Sequence, residues 1–393
     1  MLKKLFLSFF LLISVVFAQT LSSEEHKFVD YLLHLPDCYI QKVQGDSFFQ
    51  WTYEVKLKQP LDHDHPDNGS FYQRIRISHK GYDRPTIIVT EGYNLYYKNA
   101  FELAKILDAN QIVVEHRYFD QSRPEKMDWT FLTIDQAVQD YHRIRTLLDS
   151  LYSGKWISTG VSKGGQTALY YRWKFPEDVV GTVAYVAPVN LSQEDPRIDE
   201  FIRNLISRCP QKVEKFQLAV LEHPDSMAAY LTQYARDKKI SFRRVGIHRT
   251  IEYMVLEYPF SFWQWGKGKC DDIPDEKSTP RELFNHLIKY SSPYYYDDRS
   301  VKEMEPAYYM FFTQLGYYGF KYNSPDVLEH LSYLRCPTNS EFAPVGVPLP
   351  LDSRNLKRWK TWLEHKAKNI IYIYGENDPW SATAVDVSKN KNC

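Results

Sequence analysis

The chain has 393 residues with 49 basic and 49 acidic side chains, so its formal net charge is zero. This balance argues against a nucleic-acid partner, because phosphate backbones are bound by basic surfaces. The length exceeds a typical single domain, so we expect either one large domain with an insertion or two domains.

The N-terminal segment has the parts of an export signal. A basic start is followed by the apolar stretch from Leu5 to Phe17 and by small residues that end at Ala18. We expect a signal peptide over residues 1–18, cleaved before Gln19. The alternative, an anchor helix, is disfavoured because the apolar stretch is short for a bilayer span. The prediction is a secreted or periplasmic protein with no membrane attachment after cleavage.

The next segments predict two strands joined by a turn, and then an alternation of strands and helices. The first pair lies between Trp51 and Ser78, where apolar and polar residues alternate on either side of Pro-Asp-Asn-Gly. Unbroken apolar runs follow, separated by amphipathic segments, and Thr133 is the expected N-cap of the longest helix. The runs are TIIVTEG, QIVVEHRYF, KWISTG and VVGTVAYVAPV. Strands of this kind predict a mostly parallel sheet covered by helices on both faces.

The pattern changes in the second half of the chain. From Leu191 to Val347 it is helical and rich in aromatic residues, and then the helix SRNLKRWKTWLEHKA and the apolar strand NIIYIYG follow. We therefore expect an α/β core over residues 19–190, a mainly helical cap over 191–347, and the resumed core over 348–393. The aromatic cap segments YPFSFWQW and SSPYYYDD are interpreted as a wall of the substrate site or as cap core.

The most informative motif is Gly-Val-Ser-Lys-Gly-Gly at residues 160–165. It follows a predicted strand and precedes a helix, which is the setting of a nucleophile elbow with Ser162 as nucleophile. The alternative is an ordinary glycine-rich turn. In an elbow, the backbone N–H of Lys163 is one oxyanion donor. The second donor is expected in the loop after TIIVT, from Gly92 or Tyr93, although a plain strand-end turn fits those residues almost as well.

Folds with such an elbow place an acid and then a histidine after the nucleophile. Asp378, in the turn after the last strand, is the predicted acid, with Glu376 as substitute and a surface turn as the alternative reading. No histidine follows Asp378. His365 lies on the helix before the acid strand, and a base from His116 would break the expected chain order. Our expectation is that the chain is a fragment that lacks the catalytic histidine, its loop and the last strand.

The five cysteines show no metal-binding spacing. A disulfide among Cys209, Cys270 and Cys336 is expected, and Cys393 is the expected unpaired residue. No phosphate loop, dinucleotide motif or histidine-rich metal pattern occurs, so we predict neither a cofactor nor a metal. The oligomeric state cannot be read from the sequence.

Several segments together resemble a known family: VTEGYN, VVEHRYFDQSRPE, GVSKGGQTALYYRWKFPEDV, YVAPVNLSQEDPR and YGENDPWSA. The chain is similar to the secreted tripeptidyl and prolyl aminopeptidases of the Streptomyces type, which are serine peptidases with an α/β-hydrolase core. The EHRYF segment also resembles the lysosomal Pro-X carboxypeptidase and dipeptidyl-peptidase group. The resemblance implies Ser162 as nucleophile, Asp378 as acid, and peptide substrates with a free N-terminus.

Recognition of a free N-terminus requires a carboxylate for the ammonium group. Glu194 and Asp195, where the core meets the cap, are our sequence-based hypothesis for this anchor, with solvated loop acids as the alternative. Two other functions stay open, an esterase or lipase on the same fold and a degenerate protein that binds without catalysis.

Overall fold

The computed structural model describes residues 21–265, 268–390 and 392. The predicted signal peptide and Cys393 lie outside the described residues. No helix in the described part of the chain is long and apolar enough to cross a membrane. The strands of the sheet are β1 (Cys38–Val43), β2 (Trp51–Pro60), β3 (Ser70–His79), β4 (Thr86–Thr90), β5 (Asn110–Val114), β6 (Trp156–Val161), β7 (Gly181–Tyr185) and β8 (Ile370–Ile373).

The sheet is mostly parallel, as the sequence predicts. Its strand order is β1-β2-β3-β5-β4-β6-β7-β8. The first three strands run antiparallel to their neighbours, whereas β5, β4, β6, β7 and β8 are parallel. Strands β4 and β5 are buried along their whole length, which explains their unbroken apolar sequence. At the edge, β8 leaves Ile371 and Ile373 60% and 41% exposed, and no strand follows it within the described residues.

Helices cover the sheet and build the cap. Thr133 is the N-cap of α3, where its hydroxyl accepts the Gln136 N–H at 3.1 Å. The helices are α1 (Ser23–Leu33), α2 (Glu102–Ile106), α3 (Ile134–Leu148), α4 (Lys163–Lys174), α5 (Pro196–Ile206), α6 (Lys212–Leu221), α7 (Pro224–Lys238), α8 (Ile247–Gln264), α9 (Pro280–Tyr290), α10 (Asp298–Met310), α11 (Pro325–Glu329) and α12 (Ser353–His365).

Some local expectations need correction. Helix α1 and strand β1 were not predicted, because their apolar residues are few and their burial depends on packing against β2 and the sheet core. Strand β5 ends at Val114, so the EHRYF segment is a loop at the carboxyl edge of the sheet and not a continuation of the strand. The apolar pattern of NAFELAKILDA predicts a helix over residues 99–109, but α2 spans only Glu102–Ile106, since Phe101 before it is extended.

The helices between residues 191 and 347 form a hydrophobic cluster of their own around α8. Cys209 and Cys270 form a disulfide within it, which confirms the expected pairing, and Cys336 is free and exposed. The last turn of α10 packs into the sheet core instead, through residues such as Met310 and Phe311. The limits that we give for the cap, 191–347, stay a prediction.

Candidate active site

Ser162 stands in a strained turn between β6 and α4. Its backbone has φ 55° and ψ −124°, a region that side chains other than glycine rarely adopt. The turn leaves no room beside it, because a Cβ on Gly160 would lie 2.4 Å from the carbonyl of Gly164. This geometry is that of a nucleophile elbow, with the Ser162 hydroxyl at the carboxyl edge of the parallel strands.

Lys163 follows the serine and turns its side chain inward. The residue is fully buried, and its ammonium Nζ donates to the Gly92 carbonyl at 2.6 Å. The rings of Tyr93 and Phe119 lie 5.6 and 5.3 Å from Nζ. Burial holds the pKa of the Lys163 amine well below its usual range. The side chain therefore ties the loop after β4 to the elbow.

The loop after β4 lies directly against the elbow. Gly92 has φ +77°, and a Cβ there would lie 2.4 Å from the backbone nitrogen of Gly164, so glycine is required. The Tyr93 carbonyl accepts the backbone N–H of His116 at 3.0 Å. The backbone N–H groups of Lys163, Gly92 and Tyr93 have no acceptor among the described residues. These free donors are what an oxyanion hole needs, and the assignment to particular residues stays a prediction.

The Tyr93 side chain adds a contact that the sequence did not reveal. Burial raises the pKa of Tyr93 to about 12, and the nearby Ser162 side chain lowers it slightly. Tyr93 is therefore a neutral hydroxyl group at neutral pH, able to donate a hydrogen bond to an oxygen at the nucleophile.

Asp378 lies on the turn after β8, at the same edge of the sheet. The strand register aligns Val161 with Tyr185 and Tyr185 with Ile373, so the chain leaves β6 and β8 at the same level. The two strands are two spacings apart, about 10 Å. Asp378 accepts the Trp380 N–H at 3.0 Å, and burial raises its pKa. The substitute acid Glu376 is exposed.

The structure places no imidazole between these two residues. All 12 histidines lie within the described residues, and none of them hydrogen-bonds to Ser162. His365 is exposed at the end of α12, before β8 begins. His116 is buried near Lys163, and burial, followed by the charge of Lys163, holds its pKa well below the usual range. Its Nδ1 lies 3.0 Å from the Arg117 carbonyl.

The two candidate anchors for a substrate amine differ in their surroundings. Asp195 is 2% exposed, is the N-cap of α5, and forms an ion pair with Arg197 at 2.7 Å. Glu194 lies 3.8 Å from Lys321 and lines a cavity of about 840 Å³ whose lining does not include Ser162. The anchor hypothesis for Glu194 and Asp195 stays a prediction.

The sequence analysis did not predict that buried charged residues of the EHRYF segment hold neighbouring loops and helices in place. Glu115 is fully buried and accepts hydrogen bonds from the Leu95 N–H at 2.9 Å and from Ser122, so it fixes the loop that carries Gly92. Arg117 forms two 2.8 Å bonds to Asp140. Charged residues within an apolar strand context were the available signal, because such charges are buried only when paired.

Aromatic rings from the cap meet the acid turn. Trp380 lies 5.1 to 5.4 Å from Phe260, Tyr317 and Tyr318. Phe260 belongs to the YPFSFWQW segment and is 1% exposed, so it packs within the cap core against Trp380, and a role of this segment as a wall of the substrate site stays a prediction. Tyr294 and Tyr295 of the SSPYYYDD segment are partly exposed.

A mostly parallel sheet with a strained serine elbow and an acid turn at one edge defines an α/β-hydrolase. The chain matches the model of the PS-10 peptidase S37 family over residues 26–391, and it belongs to that family of peptidases. It is 34% identical over 351 residues to the prolyl tri/tetrapeptidyl aminopeptidase of Streptomyces mobaraensis, covering 88% of this chain and 72% of that protein. It is 32% identical over 334 residues to the lysosomal Pro-X carboxypeptidase of Homo sapiens, covering 72% and 67%.

Solved structures that resemble the chain include a proline iminopeptidase from Mycobacterium smegmatis. It shares 13% sequence identity, with 83% of this chain and 92% of that chain covered and a TM-score of 0.39. A prohormone-processing carboxypeptidase from Saccharomyces cerevisiae shares 13% identity over 86% of this chain and 78% of that one, with a TM-score of 0.36.

Proposed function

We propose that this peptidase is a serine exopeptidase that releases short peptides from free N-termini through an acyl-enzyme. Ser162 attacks the peptide carbonyl, and the N–H groups of Lys163 and of Gly92 or Tyr93 bind the oxyanion. Asp378 orients the base. The strained elbow at Ser162, beside free N–H groups, is the observation that carries the proposal. The name of the Streptomyces mobaraensis relative supports the aminopeptidase direction.

The general base of this mechanism must lie within hydrogen-bond reach of Ser162. The ends of the two strands lie about 10 Å apart. This distance leaves enough room for an imidazole ring between Ser162 and Asp378. Our expectation that the base belongs to a segment after Cys393 stays a prediction. Reading the gene beyond the codon for Cys393 tests it, because an open frame with a histidine is required. A stop codon would favour the non-catalytic alternative.

Covalent labelling tests the nucleophile. A fluorophosphonate probe is expected to modify Ser162, and Ser162→Ala should abolish the label without changing the fold, because alanine differs by one hydroxyl. Labelling at another serine, or equal labelling of the variant, would reject Ser162 as the nucleophile.

Substrate choice tests the class. In a full-length form that contains the general base, we expect turnover of peptidyl nitroanilides with a free N-terminus and little turnover of N-acetylated peptides or nitrophenyl esters. Preference for peptides with a free C-terminus would favour a Pro-X carboxypeptidase type instead, a direction supported by the match to the human enzyme. Preference for esters would favour an esterase or lipase.

A further inference from the structure

The cap contains a deeply buried carboxylate that no described cation neutralises. Glu257 on α8 is 6% exposed. Its two oxygens accept hydrogen bonds from the Ser261 hydroxyl at 2.9 Å and the Tyr318 phenol at 2.7 Å. Several other deeply buried carboxylates have a cation at ion-pair distance, such as Arg117 beside Asp140 and Arg197 beside Asp195. A buried carboxylate without such partners is costly, and it is a candidate for binding a cation.

Glu257 faces the acid turn through one layer of aromatic rings. The ring of Tyr318, its hydrogen-bond partner, lies 5.4 Å from that of Trp380. Trp380 follows Asp378 by two residues and donates its backbone N–H to that carboxylate. Tyr318 and Trp380 therefore connect the carboxylate of Glu257 to the turn that carries Asp378.

Two further tyrosines extend this aromatic group. The ring of Tyr317 lies 4.5 Å from that of Tyr318 and 5.4 Å from that of Trp380. The ring of Tyr308 lies 6.0 Å from that of Tyr317. Aromatic rings of the cap therefore form a continuous set of contacts from Glu257 to the turn that carries Asp378.

We propose that Glu257 binds the α-ammonium group of the peptide substrate in the cap. The proposal rests on the proposed function, because a free N-terminus is the cation that an N-terminal exopeptidase recognises. A carboxylate and surrounding ring faces attract an ammonium group more strongly inside an apolar site than at the surface. Asp195 already has Arg197 as its counter-charge, whereas no cation within the described ranges forms an ion pair with Glu257.

Binding is the sharpest test, because it does not depend on turnover. In the Ser162→Ala background, calorimetry measures the Kd of Ala-Ala-Pro-amide with a free N-terminus and of its N-acetylated form. We expect the free peptide to bind more tightly. Adding Glu257→Gln should weaken the free peptide by about ten- to a hundredfold and leave the acetylated peptide unchanged. Glu257→Asp keeps the charge and should restore part of the preference.

Controls separate the outcomes. Glu252→Gln changes another buried carboxylate of α8, which accepts the backbone N–H groups of residues 332–334, and should leave the free-to-acetylated ratio unchanged. The inference about Glu257 fails, with the proposed function intact, if Glu257→Gln weakens both peptides equally. It also fails if Glu194→Gln removes the preference instead. If the Ser162→Ala protein binds both peptides equally well, recognition of a free N-terminus fails, and the proposed function with it.

Discussion

The substitution Glu257→Gln should change the stability of the protein by an amount that depends on pH. Burial raises the pKa of Glu257 from 4.5 to about 7. The folded state therefore favours the protonated acid, and this contribution is fully present below pH 4.5 and is lost as the pH rises through about 7. Because one pKa unit corresponds to about 1.4 kcal/mol, the wild type carries a penalty of about 3 kcal/mol above pH 7.

The change between two pH values isolates this penalty from packing effects. For the wild type the penalty grows from about 1 kcal/mol at about pH 5.5 to about 3 kcal/mol at about pH 8.5. Glutamine cannot ionise, so the variant lacks this change. The free energy of unfolding of Glu257→Gln minus that of the wild type should therefore be about 2 kcal/mol larger at the higher pH, which means a relatively more stable variant. The tyrosines around Glu257 have pKa values raised by burial and stay neutral in this window.

Urea unfolding followed by tryptophan fluorescence at the two pH values measures the effect. Glutamine has one acceptor oxygen fewer than the carboxylate. Any loss of stability from this difference is the same at both pH values, so it cancels when the two are compared. Glu252→Gln is the matched variant on the same helix, and it should destabilise the cap at both values, because its carboxylate binds three backbone N–H groups. The same difference from wild type at both pH values for Glu257→Gln would refute a desolvated carboxylate at this position.

Three further outcomes are expected. Asp140→Asn should lower the free energy of unfolding by about 3–5 kcal/mol in urea titrations, because it leaves the Arg117 guanidinium buried without a counter-charge; an unchanged midpoint would contradict the buried pair. Lys163→Met keeps the length of the side chain but removes the bond to the loop after β4, so fluorophosphonate labelling should slow by about ten- to a hundredfold while the fold persists. An unchanged labelling rate would show that the loop holds its position without Lys163. Replacing Cys209 and Cys270 together by serine removes a disulfide that joins residues 61 positions apart. Thermal or urea unfolding should show that the cap is destabilised by up to about 4 kcal/mol. An unchanged free energy of unfolding would exclude the disulfide as a stabilising element.

The sequence by itself predicts the elbow and the sheet, because both are encoded locally. Ser162 between glycines, after an apolar strand and before a helix, leaves few backbone arrangements. The apolar runs of β4 and β5 indicate burial on both faces, and Thr133 marks the start of α3 correctly. The disulfide was narrowed to three cysteines, and only the fold selected Cys209 and Cys270.

The tertiary structure decided the environments of the charged residues. Glu257 reads as one acid on an aromatic helix, and its burial depends on Tyr318, 61 residues later along the chain. The motif alone does not indicate that the Lys163 side chain is buried, yet its Nζ donates a hydrogen bond to the Gly92 carbonyl in the loop after β4. In the same way, Arg117 forms its ion pair with Asp140 only when α3 packs onto the sheet. Local patterns determine backbone geometry, whereas desolvation and counter-charges depend on residues distant in sequence. The sequence therefore predicts Ser162 as the nucleophile but not the electrostatics around it.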